Sequence, residues 1–159
     1  MSSKPSEEFR VRGATVADAG TIIKHRRAMF FDMGRRDEAW LDGVAAAFLP
    51  WLLNKLENGE YLGWFAVAPD RSIAAGAGLW LLDWFPHRPD RSGLRGYLLN
   101  VYTEPAYRRR GLARQLVEIT LYYCRQQGID IATLHASEEG RPLYESLGFE
   151  ATNEMRIGL

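Results

Sequence analysis

Residues 98 to 119, LLNVYTEPAYRRRGLARQLVEI, are the most informative stretch of the chain. An apolar strand pattern runs to Thr103, Glu104 and Pro105 make a turn, and Arg108, Arg109 and Arg110 lead into Gly111 at the head of an amphipathic helix. A helix start leaves backbone N–H groups without intrahelical acceptors and carries the positive end of the macrodipole, so it is a natural cradle for a diphosphate. The side chain must vanish where backbone meets phosphate. Gly111 meets that need and Ala113 nearly does, with Leu112 between them. Arg108, Arg109, Arg110 and Arg114 can add charge-assisted hydrogen bonds worth about 1.5 to 3 kcal/mol each where they reach a ligand. Without a ligand, the same arginines are only a solvated face. The spacing is neither G-x-x-x-x-G-K-[ST] nor G-x-G-x-x-G, which removes support from nucleotide hydrolysis and hydride transfer.

Outward from this stretch the elements alternate. Phe9 and Val11 alternate with Arg10 and Arg12 in a strand pattern, and Thr15 and Asp18 stand at capping-box spacing ahead of the periodic run Ile22, Ile23, Met29, Phe30. From about 37 to 56, Trp40, Val44, Phe48 and Leu52 share one helical stripe, which Pro50 is expected to kink or divide. Residues 61–68 and 72–82 form a hairpin about Pro69 and Asp70, and a loop holding Pro86, Pro89 and Gly93 leads to a strand at about 95–103. After the helix at 111–127 come a buried-strand pattern at 129–136, a short helix at 141–147 and a last strand or pair at 149–157. The expected fold class is α/β, one domain over residues 1–159 with a mixed sheet.

The composition bounds the function. The chain has 159 residues, 47% hydrophobic and 25% charged, the balance of a core-forming globular domain. Twenty basic side chains balance twenty acidic ones, so no global field draws it to nucleic acid or an anionic membrane. The imbalance is local: residues 83 to 114 hold seven arginines against three acidic residues. One cysteine, Cys124, excludes an internal disulfide and any cysteine-rich zinc site. No apolar run approaches the ~18 residues that span a bilayer, and the N-terminus has no apolar leader pattern. The expectation is a soluble, cytoplasmic protein with no metal, in which His25, His87 and His135 show no metal-site spacing.

Arg108-x-x-Gly111-x-Ala113 resembles the acetyl-coenzyme A pyrophosphate motif, [QR]-x-x-G-x-[GA], of the Gcn5-related N-acetyltransferase (GNAT) superfamily. LYESLGF, residues 143–149, resembles that family's second signature, and the order of elements matches the family over roughly residues 8 to 157. The resemblance implies a GNAT-like, mixed and mostly antiparallel central sheet with helices on both faces. It implies acetyl-CoA as cosubstrate, with its pantetheine arm paired to the backbone of Val101, Tyr102 and Thr103 where a bulge splays this strand from the next. The pyrophosphate would rest on the amides from Arg109 to Arg114, and the family's tyrosine would fall at Tyr144. Ser137 occupies a place where many members carry an asparagine that touches the cofactor.

The implied reaction is direct attack of an amine, from a small molecule or peptide, on the acetyl thioester in a ternary complex. A backbone amide near Val101 is the candidate oxyanion donor, and Tyr144 the candidate partner for the leaving thiolate. With reference pKa values of about 10 for tyrosine and about 8.5 for a thiol, full proton transfer is uphill by near 2 kcal/mol. A lysine-like amine costs about 4.6 kcal/mol to deprotonate at pH 7, whereas an α-amine costs only about 1 kcal/mol. The base stays unassigned: residues 131–137 carry no acid, His135 in an apolar strand reads as a core residue, and Asp32 begins the usual acceptor region. Trp80, Trp84 and Phe85 either wall an acceptor pocket or only cover the sheet. Cys124 reads as a packing thiol. A regulatory domain that binds acyl-CoA without catalysis is the alternative of a different class. An RNA-binding module is disfavoured by the zero net charge and the lack of an aromatic platform motif. A homodimer is compatible with the resemblance, and the acceptor itself is not named by any motif.

Overall fold

The structure, a computed structural model, describes residues 8–86 and 93–159. His87 and Pro89 of the long loop lie outside the described residues. Five strands form one sheet in the order β1 (Arg10–Gly13), β2 (Tyr61–Val67), β3 (Ile73–Asp83), β4 (Leu94–Thr103) and β5 (Ala132–Thr133). The first three pairings are antiparallel and β4–β5 is parallel. Two helices, α1 (Ala19–Asp32) and α2 (Glu38–Glu57), cover one face, while α3 (Leu112–Gln126) covers the other and α4 (Arg141–Ser146) follows β5.

Strand alternation sorts the core. Tyr61 and Phe65 of β2 pack with Ile22 of α1 and Leu52 of α2, whereas Ala66, Ala75 and Ala77 meet Leu112 and Leu116 of α3 on the opposite face. Leu112, Leu116, Val117, Thr120 and Cys124 form the single buried stripe of α3, as its period predicts. Burial pushes the Cys124 thiol up, in keeping with a packing role.

Pro50 does not divide α2, which runs unbroken from Glu38 to Glu57. Pro50 and Ala46 are both exposed. The carbonyl that loses its helical donor therefore lies on the exposed face of the helix, where solvent can satisfy it and the break costs less than in the core. Thr15 and Asp18 open a 3-10 turn, Val16–Asp18, that feeds α1, and the Asp18 carboxylate accepts from the Thr15 N–H at 2.7 Å.

Two expected strands are corrected. The pattern at 129–136 yields a ladder over Ala132–Thr133 alone, because the chain leaves β4 after Thr133. Residues 150–159 form no strand and are exposed, Met155 and Ile157 included, since the two-residue β5 offers no edge on which to extend a ladder.

Candidate functional site

The site grows from an irregularity in β4. Gly78 pairs with Leu99 and Gly76 with Tyr102, so Asn100 and Val101 together stand opposite Ala77. This is a β-bulge, and Asn100 takes it up in the left-handed region at φ 55°. The extra residue puts consecutive side chains, Leu99 and Asn100, on the α1–α2 face, so Tyr102 stays on that face and stacks near His25 at 5.1 Å between ring centroids.

Beyond the bulge β4 has an open edge. Its pairing with β5 covers Gly96–Ala132 and Tyr97–Thr133 only, so the strands diverge from Leu98 onward. The wedge between them leads towards the start of α3. There Arg109 and the N-cap Gly111 both hold left-handed backbone, at φ 65° and 76°. The first helical bond is donated by Gln115 to the Gly111 carbonyl at 3.1 Å. Among the described residues, the N–H groups of Arg109 through Arg114 donate to no backbone carbonyl. Left-handed residues inside a turn of free amides make a concave donor surface of the kind that suits an anion.

A family model described as the acetyltransferase (GNAT) family matches residues 22–149. The chain belongs to the GNAT acetyltransferase family. Its fold superposes on a GCN5-related N-acetyltransferase from Ralstonia eutropha JMP134 with a TM-score of 0.86 at 35% identity, over 95% of this chain and 98% of that one. A predicted acetyltransferase from Clostridium acetobutylicum, crystallised with acetyl-CoA, gives 0.85 at 26% identity over 95% and 96% of the two chains. Among curated proteins, glucosamine 6-phosphate N-acetyltransferase of Trypanosoma brucei brucei is 35% identical over 65 residues, 40% of this chain. The match spans less than half of that relative, 44% of its length.

The arginines around the start of α3 divide. Arg108 turns to the outside, donating to Asp32 Oδ2 at 2.7 Å and to the Thr103 carbonyl at 3.0 Å. Asp32 is thereby held in an exposed ion pair at the end of α1. Arg114 donates to Ser146 Oγ at 2.6 Å, tying the start of α3 to α4. Arg110 lies near the rings of Phe9 and Tyr107.

Tyr144 packs against the α3-side core with its ring edge-on to Phe149 at 5.8 Å, and burial pushes its phenol up. Its hydroxyl has no hydrogen-bond partner among the described residues. Ser137 serves the turn before α4, its Oγ accepting from the Gly140 N–H at 3.1 Å. His135 is not a core residue: it is exposed and hydrogen-bonds through Nδ1 to the Tyr97 hydroxyl where the wedge begins. Trp80 lies edge-on to Trp51 at 5.0 Å and near Tyr97, so it walls this side of the bulge. Trp84 instead stacks under Arg95, and Phe85 is exposed.

Four residues around the bulge escaped the sequence reading. Arg26 of α1 donates to Asn100 Oδ1 at 3.0 Å, Asn100 Nδ2 donates to the Tyr61 hydroxyl at 3.1 Å, and Tyr97 stands next to them on β4. The available signal was the pair Gly76 and Gly78 inside an apolar strand, which marks a close approach to backbone. At Gly78 a Cβ would overlap the Tyr61 hydroxyl, and at Gly76 it would lie 3.0 Å from Phe65 and 3.1 Å from His25 Nδ1.

Proposed function

We propose that the whole chain, residues 1–159, is one N-acetyltransferase domain that binds acetyl-CoA and transfers its acetyl group to a primary amine of a small molecule or peptide. The observation that supports it is the row of unpaired N–H groups from Arg109 to Arg114, bent by two left-handed residues, beside the open edge of β4. A diphosphate fits such a concave row of donors, and an extended amide-bearing arm fits an unpaired strand edge.

In this reading Val101, Tyr102 and Thr103 offer their backbone to the pantetheine arm. The amides of Arg109, Arg110, Gly111, Leu112, Ala113 and Arg114 hold the diphosphate, while Arg108 props the loop through Asp32 and Thr103. Ser137 stands at the far wall of the wedge. Bound acetyl-CoA supplies an activated acyl group. An N–H at the bulge near Val101 stabilises the charge that develops on the acetyl oxygen, and the free hydroxyl of Tyr144 donates a hydrogen bond to the departing sulfur. Burial raises the phenol further from the thiol, so Tyr144 lends a hydrogen bond more readily than a whole proton.

The test is calorimetry with coenzyme A followed by thiol release across a panel of amines. Wild type binds coenzyme A, and Gly111→Glu, which forces a side chain and a negative charge into the cradle, weakens binding by about 100-fold or more. Absence of binding at millimolar coenzyme A defeats the proposal. Binding without turnover of any amine leaves the acyl-CoA-binding regulatory domain in its place.

A further inference from the structure

A half-buried cation of α1 has no carboxylate counter-ion among the described residues. Arg26 projects from α1 between two aromatic rings, its guanidinium 4.3 Å from the Phe48 centroid and 5.0 Å from that of Phe30. One terminal nitrogen donates to Asn100 Oδ1 at 3.0 Å. Its Nε is buried and donates to nothing. No ion pair joins Arg26 to a carboxylate among the described residues, and the ionisable groups that act on it are the phenols of Tyr61 and Tyr97. Its neighbours are treated differently: Arg27 is paired with Glu38 and Asp42, Arg12 with Asp18, and Arg108 with Asp32.

A guanidinium carries five N–H donors in a flat fork, and half-burying it between two rings, with its Nε unpartnered and no opposite charge beside it, is costly. A residue that served packing alone would do better here as leucine or methionine. The cost is tolerated where a ligand brings the missing charge. Arg26 is also placed for one. Through Asn100 it touches the bulge, next to the point where β4 and β5 part, and Trp51, Trp80 and Tyr97 stand on the same face.

We infer that Arg26 receives an anionic group, a carboxylate or a phosphate, carried by the acceptor amine. The inference rests on the acetyltransferase reading for the word acceptor, and on Arg26 alone for the anion. The forked donors fit a two-oxygen face and the flanking rings fit a short carbon frame, with the amine directed towards the bulge. Peptides or polyamines without a nearby anion would leave the guanidinium unpaired.

Two measurements test it. Inorganic phosphate is titrated calorimetrically into wild type, Arg26→Met and Arg26→Lys, with and without saturating coenzyme A so that the α3 cradle can be blocked. Acetyl transfer is then compared on matched amines, an amino acid against its amide and glucosamine 6-phosphate against glucosamine. Arg26→Met is expected to lose about tenfold or more in phosphate affinity, with partial recovery in Arg26→Lys. The ratio of kcat/KM for the anionic over the neutral member of a pair, expected at about tenfold or more in wild type, falls towards one in Arg26→Met. Phosphate affinity equal in wild type and Arg26→Met overturns the proposal, as does a wild type that turns over neutral amines as well as anionic ones. The carboxylate and phosphate pairs tell the two sources apart. Arg26→Lys guards against a variant that merely fails to fold. Failure of all amines as substrates counts against acetyl transfer alone, because the phosphate comparison is read without turnover.

Discussion

Tyr61 on β2 and Asn100 on β4 are hydrogen-bonded at 3.1 Å although β3 lies between their strands. The link crosses over Gly78, the one residue type that leaves a gap there. Asn100 is thus gripped from two sides, by Tyr61 through its amide nitrogen and by Arg26 through its oxygen. Asn100 holds the left-handed backbone on which the bulge depends, so three buried or half-buried polar residues fix the point where β4 leaves the regular ladder.

Replacing Gly78 with alanine therefore strikes the bulge and not just the core. A Cβ would overlap the Tyr61 hydroxyl, lie 2.5 Å from Tyr61 Cζ and 3.0 Å from the Leu99 carbonyl oxygen. Gly78→Ala should cost about 2 to 4 kcal/mol of stability, and Gly78→Ala with Tyr61→Phe should recover part of it by removing the first contact. Urea unfolding of the four members of this cycle measures both. A loss under about 0.5 kcal/mol for the single variant would mean that Tyr61 moves away freely.

Tyr61 also writes itself into alkaline stability. Burial pushes its phenol up to about 12, against hydrogen bonding from Asn100 and the nearby Arg26. The unfolded chain ionises near 10, so the contribution is intact below about pH 10 and disappears as the pH climbs through the folded value, on the order of a few kcal/mol in all. Tyr61→Phe starts less stable, because Asn100 loses its acceptor, and then falls less steeply between pH 10 and 12. Parallel curves for the two proteins would refute the assignment.

The strand, turn and helix start that carry the proposed cradle were legible in the sequence because they are consecutive: a strand, a turn, arginines, a glycine and a helix within 98–119. The bulge was expected only through the family resemblance and not from the residues themselves, because an extra residue in β4 exists only relative to β3, and nothing local at Asn100 announces which strand it faces. The Arg26–Asn100 contact joins residues 74 positions apart and carries no periodic signal. The C-terminal segment fails in the opposite sense. Met155 and Ile157 alternate as a strand should, yet alternation describes a face and supplies no neighbouring edge. His135 was misjudged for the same reason, since the strand its apolar setting suggested ends at Thr133 and leaves His135 exposed beyond it.

At Arg109 stability and binding should part company. A non-glycine residue at φ 65° costs about 1 to 2 kcal/mol, while the greater freedom of unfolded glycine returns about 0.5 to 1 kcal/mol of that. Arg109→Gly should thus leave the fold as stable or raise it by up to about 1 kcal/mol. Coenzyme A affinity should fall by about 3- to 10-fold, because a guanidinium is lost and the loop loosens. Thermal unfolding and calorimetry give the two numbers, and a drop in both would assign Arg109 to the fold.

On the acid side the sensitive group is His25, 2% exposed beneath the sheet, with Nε2 3.4 Å from Glu104 and its ring between Phe65 and Tyr102. Burial and Lys24 lower its pKa, and Glu104 opposes them without prevailing. Its contribution is complete above the unfolded value of about 6.5 and is lost as the pH falls through the depressed folded value. His25→Gln should flatten the decline in stability between pH 7.5 and 5 relative to wild type. An unchanged slope would show that the fold does not shift the His25 pKa, and a steeper decline in the variant would show that the folded state favours the protonated ring.

Tyr144 presents the clearest separation of chemistry from structure. Its ring is held by the α3-side core, while its hydroxyl binds nothing among the described residues, so Tyr144→Phe should change stability by less than about 0.5 kcal/mol. If that hydroxyl supports the leaving sulfur, kcat should still fall by about 10- to 10³-fold. Burial makes the phenol a weaker acid, which favours the lower part of that range. With no base assigned, amines of low pKa should be acetylated in preference to lysine-like ones at pH 7 in both proteins, the difference amounting to about 3.6 kcal/mol of deprotonation. Pre-steady-state thiol release separates the chemical step from product release. A Tyr144→Phe enzyme with an unaltered chemical step would remove the tyrosine from catalysis, and rapid lysine acetylation at pH 7 would require a base among the groups beside the bulge.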